Sequence, residues 1–162
     1  MDGLAEATGA AAEQAAEAIL NERKLFSIGL GADCAGATAL ASLLHRGVLR
    51  ERPSLPVVEL AEHHIESAET GVYWLGRQIQ ALGQQGDVAF VFAASLGEPE
   101  IQRLAIALEQ RQVSAIWVGN RGPGLNMTVV DKNIETRLTL NGALAICLAR
   151  LIDTHTFGPM GD

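Results

Sequence analysis

Four short apolar runs, LFSIGLG, VVEL, GDVAFVFAAS and VSAIWVG, recur along the chain between segments whose apolar residues step by three and four. Runs of that length bounded by turn residues read as strands, and the intervening periodicity reads as helix. GDVAFVFAAS is apolar at consecutive positions, as strands covered on both faces tend to be. Strands alternating with helices imply an α/β fold: a doubly wound parallel sheet with right-handed crossovers, of about five strands. In such sheets ligands bind beyond the carboxyl ends of the strands. The turns of interest are therefore GLGAD, ELAEHH, AASLGEPE and GNRGPG.

The helices follow from the same spacing. Leu4 to Asn21 is alanine- and glutamate-rich, with Leu4, Ala12, Ala16, Ile19 and Leu20 on one face. Asp33 is placed to cap the next helix, which runs to about His45 with Leu40, Leu43 and Leu44 inward. Val72, Leu75, Ile79 and Leu82 mark a third helix. Pro99 suits a first helical position, and Ile101, Leu104, Ala105 and Leu108 form the buried stripe behind it. A weaker strand near NIETRL is expected to precede a last helix from about Leu140 to Asp153. That helix is apolar almost all round, through Ala143, Leu144, Ile146, Cys147, Leu148 and Leu151, which points to burial in an oligomer.

A chain of 162 residues suits one domain, spanning 1–162. Its formal charge of -7 disfavours direct nucleic-acid binding, which needs a basic footprint. The one basic stretch, LHRGVLRERP, reads as a solvated helix end and loop. No apolar run reaches membrane-spanning length, and the N-terminus lacks the basic start of a signal peptide, so a cytoplasmic protein without membrane contact is expected. Cys34 and Cys147 lie in apolar segments and read as buried free thiols. Trp74 and Trp117 read as core or interface residues, and His45 and His155 have no partner that spacing identifies.

Four pieces of the sequence carry a likeness: GLGAD, RERPSLPVVEL, RQIQALGQQGDVAFVFAASLGEPE and LARLIDTHTFG. Together they resemble the SIS (sugar isomerase) domain, a flavodoxin-like three-layer sandwich, and within it the phosphoheptose isomerase group that includes the DnaA initiator-associating protein. GLGAD stands where the family has G-N-G-G-S, and AASLGE where it has the S-T-S-G-N-S phosphate loop. The resemblance covers nearly the whole chain from about Glu22, although only one helix precedes KLFSIGLG. It implies self-association as homodimer or homotetramer, and it brings in a protein partner and a sugar phosphate as further ligands.

The family's catalytic groups do not carry over. The histidine and glutamate that follow G-N-G-G-S fall on Ala39 and Leu43, the last helix's histidine falls on Ile146, and its glutamine aligns nearest to Leu138. Interconverting a ketose and an aldose needs a general base, usually with a second acid or a metal. The expected catalytic set is therefore none, with no cofactor. The ligand-binding positions carried over are Gly29, Gly31, Asp33, Ser95, Gly97 and Glu98. Asp33 and Glu98 put carboxylates at two helix starts that would otherwise welcome an anion, so a site closed to phosphate is expected.

Other readings of the same residues are weaker. ELAEHHIESAE gathers Glu59, Glu62, His63, His64 and Glu66 beyond a strand end, but no spacing matches a metal motif, and the expected metal set is none. A dinucleotide fingerprint would need glycine where Cys34 stands. Three functions follow: a catalytically silent protein acting through assembly and partner binding, a phosphosugar-binding protein or sedoheptulose 7-phosphate-type isomerase with replacement residues, or a subunit assembled with an intact paralogue.

Overall fold

The computed structural model describes residues 2–47, 50–63, 66–128 and 131–159. Helix α1 (Asp2–Leu20) leads into strand β1 (Leu25–Leu30), a single 3₁₀ turn at Gly31–Asp33 and helix α2 (Cys34–Arg46). Then follow β2 (Val57–Glu62), α3 (Ala68–Leu82), β3 (Val88–Phe92), α4 (Glu98–Gln110), β4 (Ser114–Val118), β5 (Leu125–Met127) and α5 (Ile134–Phe157). All strand pairs are parallel, in the order β2-β1-β3-β4-β5.

The sheet divides the interior in two because successive side chains of a strand face opposite ways. Val88, Phe90 and Phe92 of β3 pack with α1, α2 and α5, through Ala11, Ala15, Leu40, Leu44 and Leu148. Ala89 and Val91 pack with α3 and α4, through Val72, Leu75, Ile79, Leu104 and Leu108. This is the three-layer arrangement expected. The alanine face of α1 lets it lie close along α5, as the run Ala11, Ala12, Ala15, Ala16 is buried throughout.

Two ion pairs with buried carboxylates tie elements together. Asp87 accepts from Lys24 Nζ at 2.6 Å and from the backbone N–H groups of Lys24 and Gln84, clamping the starts of β1 and β3. Arg52 donates from Nε to Asp153 Oδ1 at 2.8 Å and from Nη1 to the carbonyl of Leu44 at 2.7 Å. It thereby joins the last turn of α2 to α5. The basic stretch is thus partly structural: Arg52 is spent on this contact, and Arg50 Nη2 donates to the carbonyl of Gly158 at 2.6 Å.

Several expectations are corrected. NIETRL is not a strand: Asn133 accepts from the N–H of Glu135 and starts α5 at Ile134, well before Leu140. The fifth strand is instead Leu125–Met127, paired to β4. Pro99 takes the second helical position, behind Glu98, with Gly97 as N-cap. Leu82 is 43% exposed, since the helix ends there and its side chain clears the sheet. Cys147 is exposed and only Cys34 is buried, because α5 turns Cys147 away from α1 and α2. His45 does have a partner, Nε2 lying 3.0 Å from the carbonyl of Val57. Trp117 is a core residue, as one of the two expected readings has it, and Trp74 is exposed on the single chain.

Candidate functional site

The order β2-β1-β3-β4-β5 reverses between β1 and β3, so the turns leaving these neighbouring strands diverge and frame the crevice where ligands of open α/β sheets bind. One wall is the turn Gly29 to Asp33, the other the loop Ala93 to Gly97. The backbone of the first wall needs its glycines. A Cβ on Gly29 would lie 2.7 Å from the carbonyl oxygen of Asp33, and Gly31 has φ +60°. That tight path folds Asp33 back over the crevice.

Asp33 is fully buried and bridges the two walls. Its Oδ1 accepts from the backbone N–H of Ala94 at 2.9 Å, and its Oδ2 from the N–H of Ser95 at 2.9 Å and from Ser95 Oγ. Asn141 of α5 adds a contact from Nδ2 at 3.3 Å. Asp33 occupies the cap position of α2, but its side chain makes no bond to its own helix. The capping expectation is corrected: the carboxylate serves the opposite loop because two convergent N–H groups and a hydroxyl offer more than one N–H of α2. Burial pushes the Asp33 carboxyl above its ordinary range, opposed by the bonds from Ser95 and Ala94 and by the charge of Arg137.

Glu98 does lie in the first turn of α4, exposed beside Glu100. Gly97 is the N-cap there, and a Cβ on it would meet the movable carboxylate of Glu100 at 2.7 Å. Of the six positions carried over, Asp33 and Ser95 touch directly, Gly29 and Gly31 shape the turn that brings them together, and Gly97 and Glu98 stand at the helix start beyond the loop.

Three residues of the site were not legible in sequence. Asn120 Nδ2 donates to the carbonyls of Ala93 at 3.1 Å and Leu96 at 3.0 Å, holding the loop in shape. From α5, Asn141 contacts the carboxylate and Arg137 acts on it through its charge, and Asn141 Oδ1 and Arg137 Nε are buried without hydrogen-bond partners. These contacts span 24 to 108 residues, and no local pattern encodes them.

The positions that the resemblance assigns to proton transfer hold hydrocarbon. Ala39 and Leu43 pack partly buried against the core, Leu138 is half-buried and Ile146 is 46% exposed. None can carry a proton or ligate a metal. Glu59 and Glu62 lie within β2 and not beyond its end as expected, since the strand runs on to Glu62. Glu59 accepts from Thr38 and Glu62 from Gln78, while His64 falls outside the described residues. No group of three or more metal-ligating side chains occurs among the described residues. The Cys34 thiol is pushed up by burial and then by the charges of Asp33, Glu59 and Glu62, which disfavours the reactive thiolate.

Among known proteins, a phosphoheptose isomerase from Methylococcus capsulatus is 27% identical, over 96% of this chain and 87% of its own. A DnaA initiator-associating protein from Erwinia tasmaniensis is 25% identical, over 96% and 87%. In three dimensions the chain is similar to a phosphoheptose isomerase from Neisseria gonorrhoeae, with TM-score 0.75, 22% identity and coverage of 93% of this chain and 87% of that one. One from Francisella tularensis gives TM-score 0.70 at 23% identity, covering 89% and 85%. No family model matches the chain.

Proposed function

We propose that this chain, a divergent relative of the phosphoheptose isomerases and DnaA initiator-associating proteins with their SIS fold, is catalytically degenerate, acting by assembling with itself and with a protein partner. The observation carrying this reading is the Asp33 carboxylate on the N–H groups of Ala94 and Ser95. A backbone N–H donates one strong bond, and these two are taken by an anion belonging to the chain itself. A phosphate arriving at the same loop would have to displace that carboxylate or meet its charge. The hydrocarbon at Ala39, Leu43 and Ile146 supports the same reading, since binding without a base gives no isomerisation.

A second reading, a phosphosugar-binding protein or isomerase with replacement residues, draws on Arg137, whose cationic side chain lies near the closed turn with a buried, unpartnered Nε. Calorimetric titration with sedoheptulose 7-phosphate and glucose 6-phosphate separates the two. The native chain should give no heat of binding, whereas Asp33→Ser should bind weakly because the freed N–H groups and the start of α4 remain. Adding Glu98→Ser should strengthen that binding. A ligand at a hundredfold its Kd stabilises a protein by about 2.7 kcal/mol, so thermal melting reports the same outcome. Micromolar binding by the native chain, or turnover of sedoheptulose 7-phosphate, would establish the second reading.

A further inference from the structure

On the face of the sheet opposite α5, helices α3 and α4 leave a groove of about 340 Å³ lined by Val72, Tyr73, Gly76, Arg77, Gln80 and Arg103. Its floor is low because Gly76 has no side chain: a Cβ there would meet only Ala107 Cβ, at 3.8 Å. Two polar contacts between the helices bracket it, Arg103 to Glu69 at 3.2 Å and Gln80 Nε2 to Gln110 Oε1 at 3.4 Å. Arg77 is held along one rim, Nη1 lying 3.3 Å from Tyr73 Oη and the guanidinium 6.0 Å from the ring centroid. Tyr73 in turn meets Trp74 edge-on, with ring centroids 5.4 Å apart.

This lining combines an exposed aromatic ring with two guanidinium groups, a chemistry that selects an occupant. Tyr73 of the lining is 56% exposed, and Trp74, which meets it edge-on outside the groove, is 52% exposed. Tyrosine, tryptophan and arginine are the residue types that anchor protein interfaces. Elsewhere Lys24, Arg52 and Arg111 are spent inside the fold, on Asp87, on Asp153 and on the carbonyl of Gly83. Arg77 has no carboxylate partner among the described residues, and Arg103 has only Glu69, in a pair whose side chains are 53% and 73% exposed. Such a pair contributes little and exchanges readily for another carboxylate. On a chain of net charge -7, an acidic partner is repelled by most of the surface and attracted to these two guanidinium groups.

We infer that the α3/α4 groove docks an acidic segment of a partner protein, a bulky apolar side chain seated over Gly76 and flanking carboxylates paired to Arg77 and Arg103. The inference rests on the partner-binding reading above but uses a surface that shares no residue with the closed turn, so the two stand or fall on different measurements. The probe is a fluorescein-labelled peptide of sequence DELFED, titrated against the full chain by fluorescence anisotropy. Saturable binding is expected, about tenfold weaker or more for Arg77→Glu combined with Arg103→Glu, for Gly76→Leu, and for a peptide with the acids replaced by their amides. Circular dichroism shows whether each variant keeps its fold, and Gly76→Leu adds no backbone strain in mid-helix. Asp33→Ser should bind the peptide as the native chain does, while altering only the sugar-phosphate titration. Absence of binding by the native chain, equal binding of acidic and amide peptides, or insensitivity to both variants would overturn the inference. So would a change of oligomeric mass in the charge-reversed variant, which would assign the groove to a second copy of the chain.

Discussion

Asp33 carries two separable consequences, one for pH and one for stability. Its folded carboxyl is raised above the ordinary 3.8, chiefly by burial. The folded state therefore keeps the proton to higher pH than the unfolded chain does. The stabilising contribution of that proton is complete below 3.8 and is lost as pH rises through the raised value. The difference in unfolding free energy between the native chain and Asp33→Asn, measured by urea at a series of pH values, should fall across that window and then level off. A flat difference would show that the carboxyl titrates alike in the folded and unfolded chain, with no shift on folding. Asp33→Ala should cost about 1–3 kcal/mol, because the buried Ala94 N–H loses its acceptor. Asp33 is identifiable in sequence as an anion at a helix start, but the N–H groups it serves are 61 and 62 residues away. Cap preference is a local statistic, and here a long-range set of donors outweighs it.

At the scale of elements, legibility follows the length and strength of the periodic signal. β1, β3, β4 and the helices between them carry long apolar runs or repeats, and their existence and order can be read directly from the sequence. β5 has three residues, Leu125, Asn126 and Met127, too few for any period, and is a strand because it pairs with β4. NIETRL offers only Ile134 and Leu138, a spacing of four that fits one face of a strand and one face of a helix alike. Asn133 decides for helix by capping it, and Thr136, Arg137 and Leu138 lie half-buried on α5. Asn133→Ala should therefore cost about 1 kcal/mol, read by chemical denaturation, and leave α5 beyond its first turns unchanged. The Arg52–Asp153 pair is the stronger test of how α5 is held. Its side chains are only 2% and 6% exposed. Asp153→Asn strands a buried guanidinium and should cost about 3–5 kcal/mol, far more than a surface pair would. A loss below about 1 kcal/mol would mean that the bonds from Arg52 to the carbonyls of Leu43 and Leu44 hold the junction alone.

The whole molecule poses the question of what covers α5. At about 1.5 Å per residue, its 24 residues span roughly 36 Å, and one side packs on α1 and α2 through Leu144, Ala145, Leu148 and Ile152. The other side presents Ala143, Ile146 and Cys147, with Phe157 40% exposed at the end. Such a stripe along one long helix is ordinarily buried against another copy, at about 25 cal/mol per Å² of apolar surface removed from water. The expected result in sedimentation at micromolar concentration is a dimer or larger species. Ile146→Glu should weaken that association by at least about tenfold while leaving the fold unchanged, because the side chain touches nothing that the monomer needs. Salt supplies an independent arm. Each copy carries a charge of -7, so two copies repel at low ionic strength, and raising salt toward 0.1 M, where charges are screened over about 10 Å, should tighten a dimer held by apolar contact. An assembly that loosens with salt would be held by ion pairs instead, and a native chain that sediments as a monomer would leave α5 free for a partner of another kind.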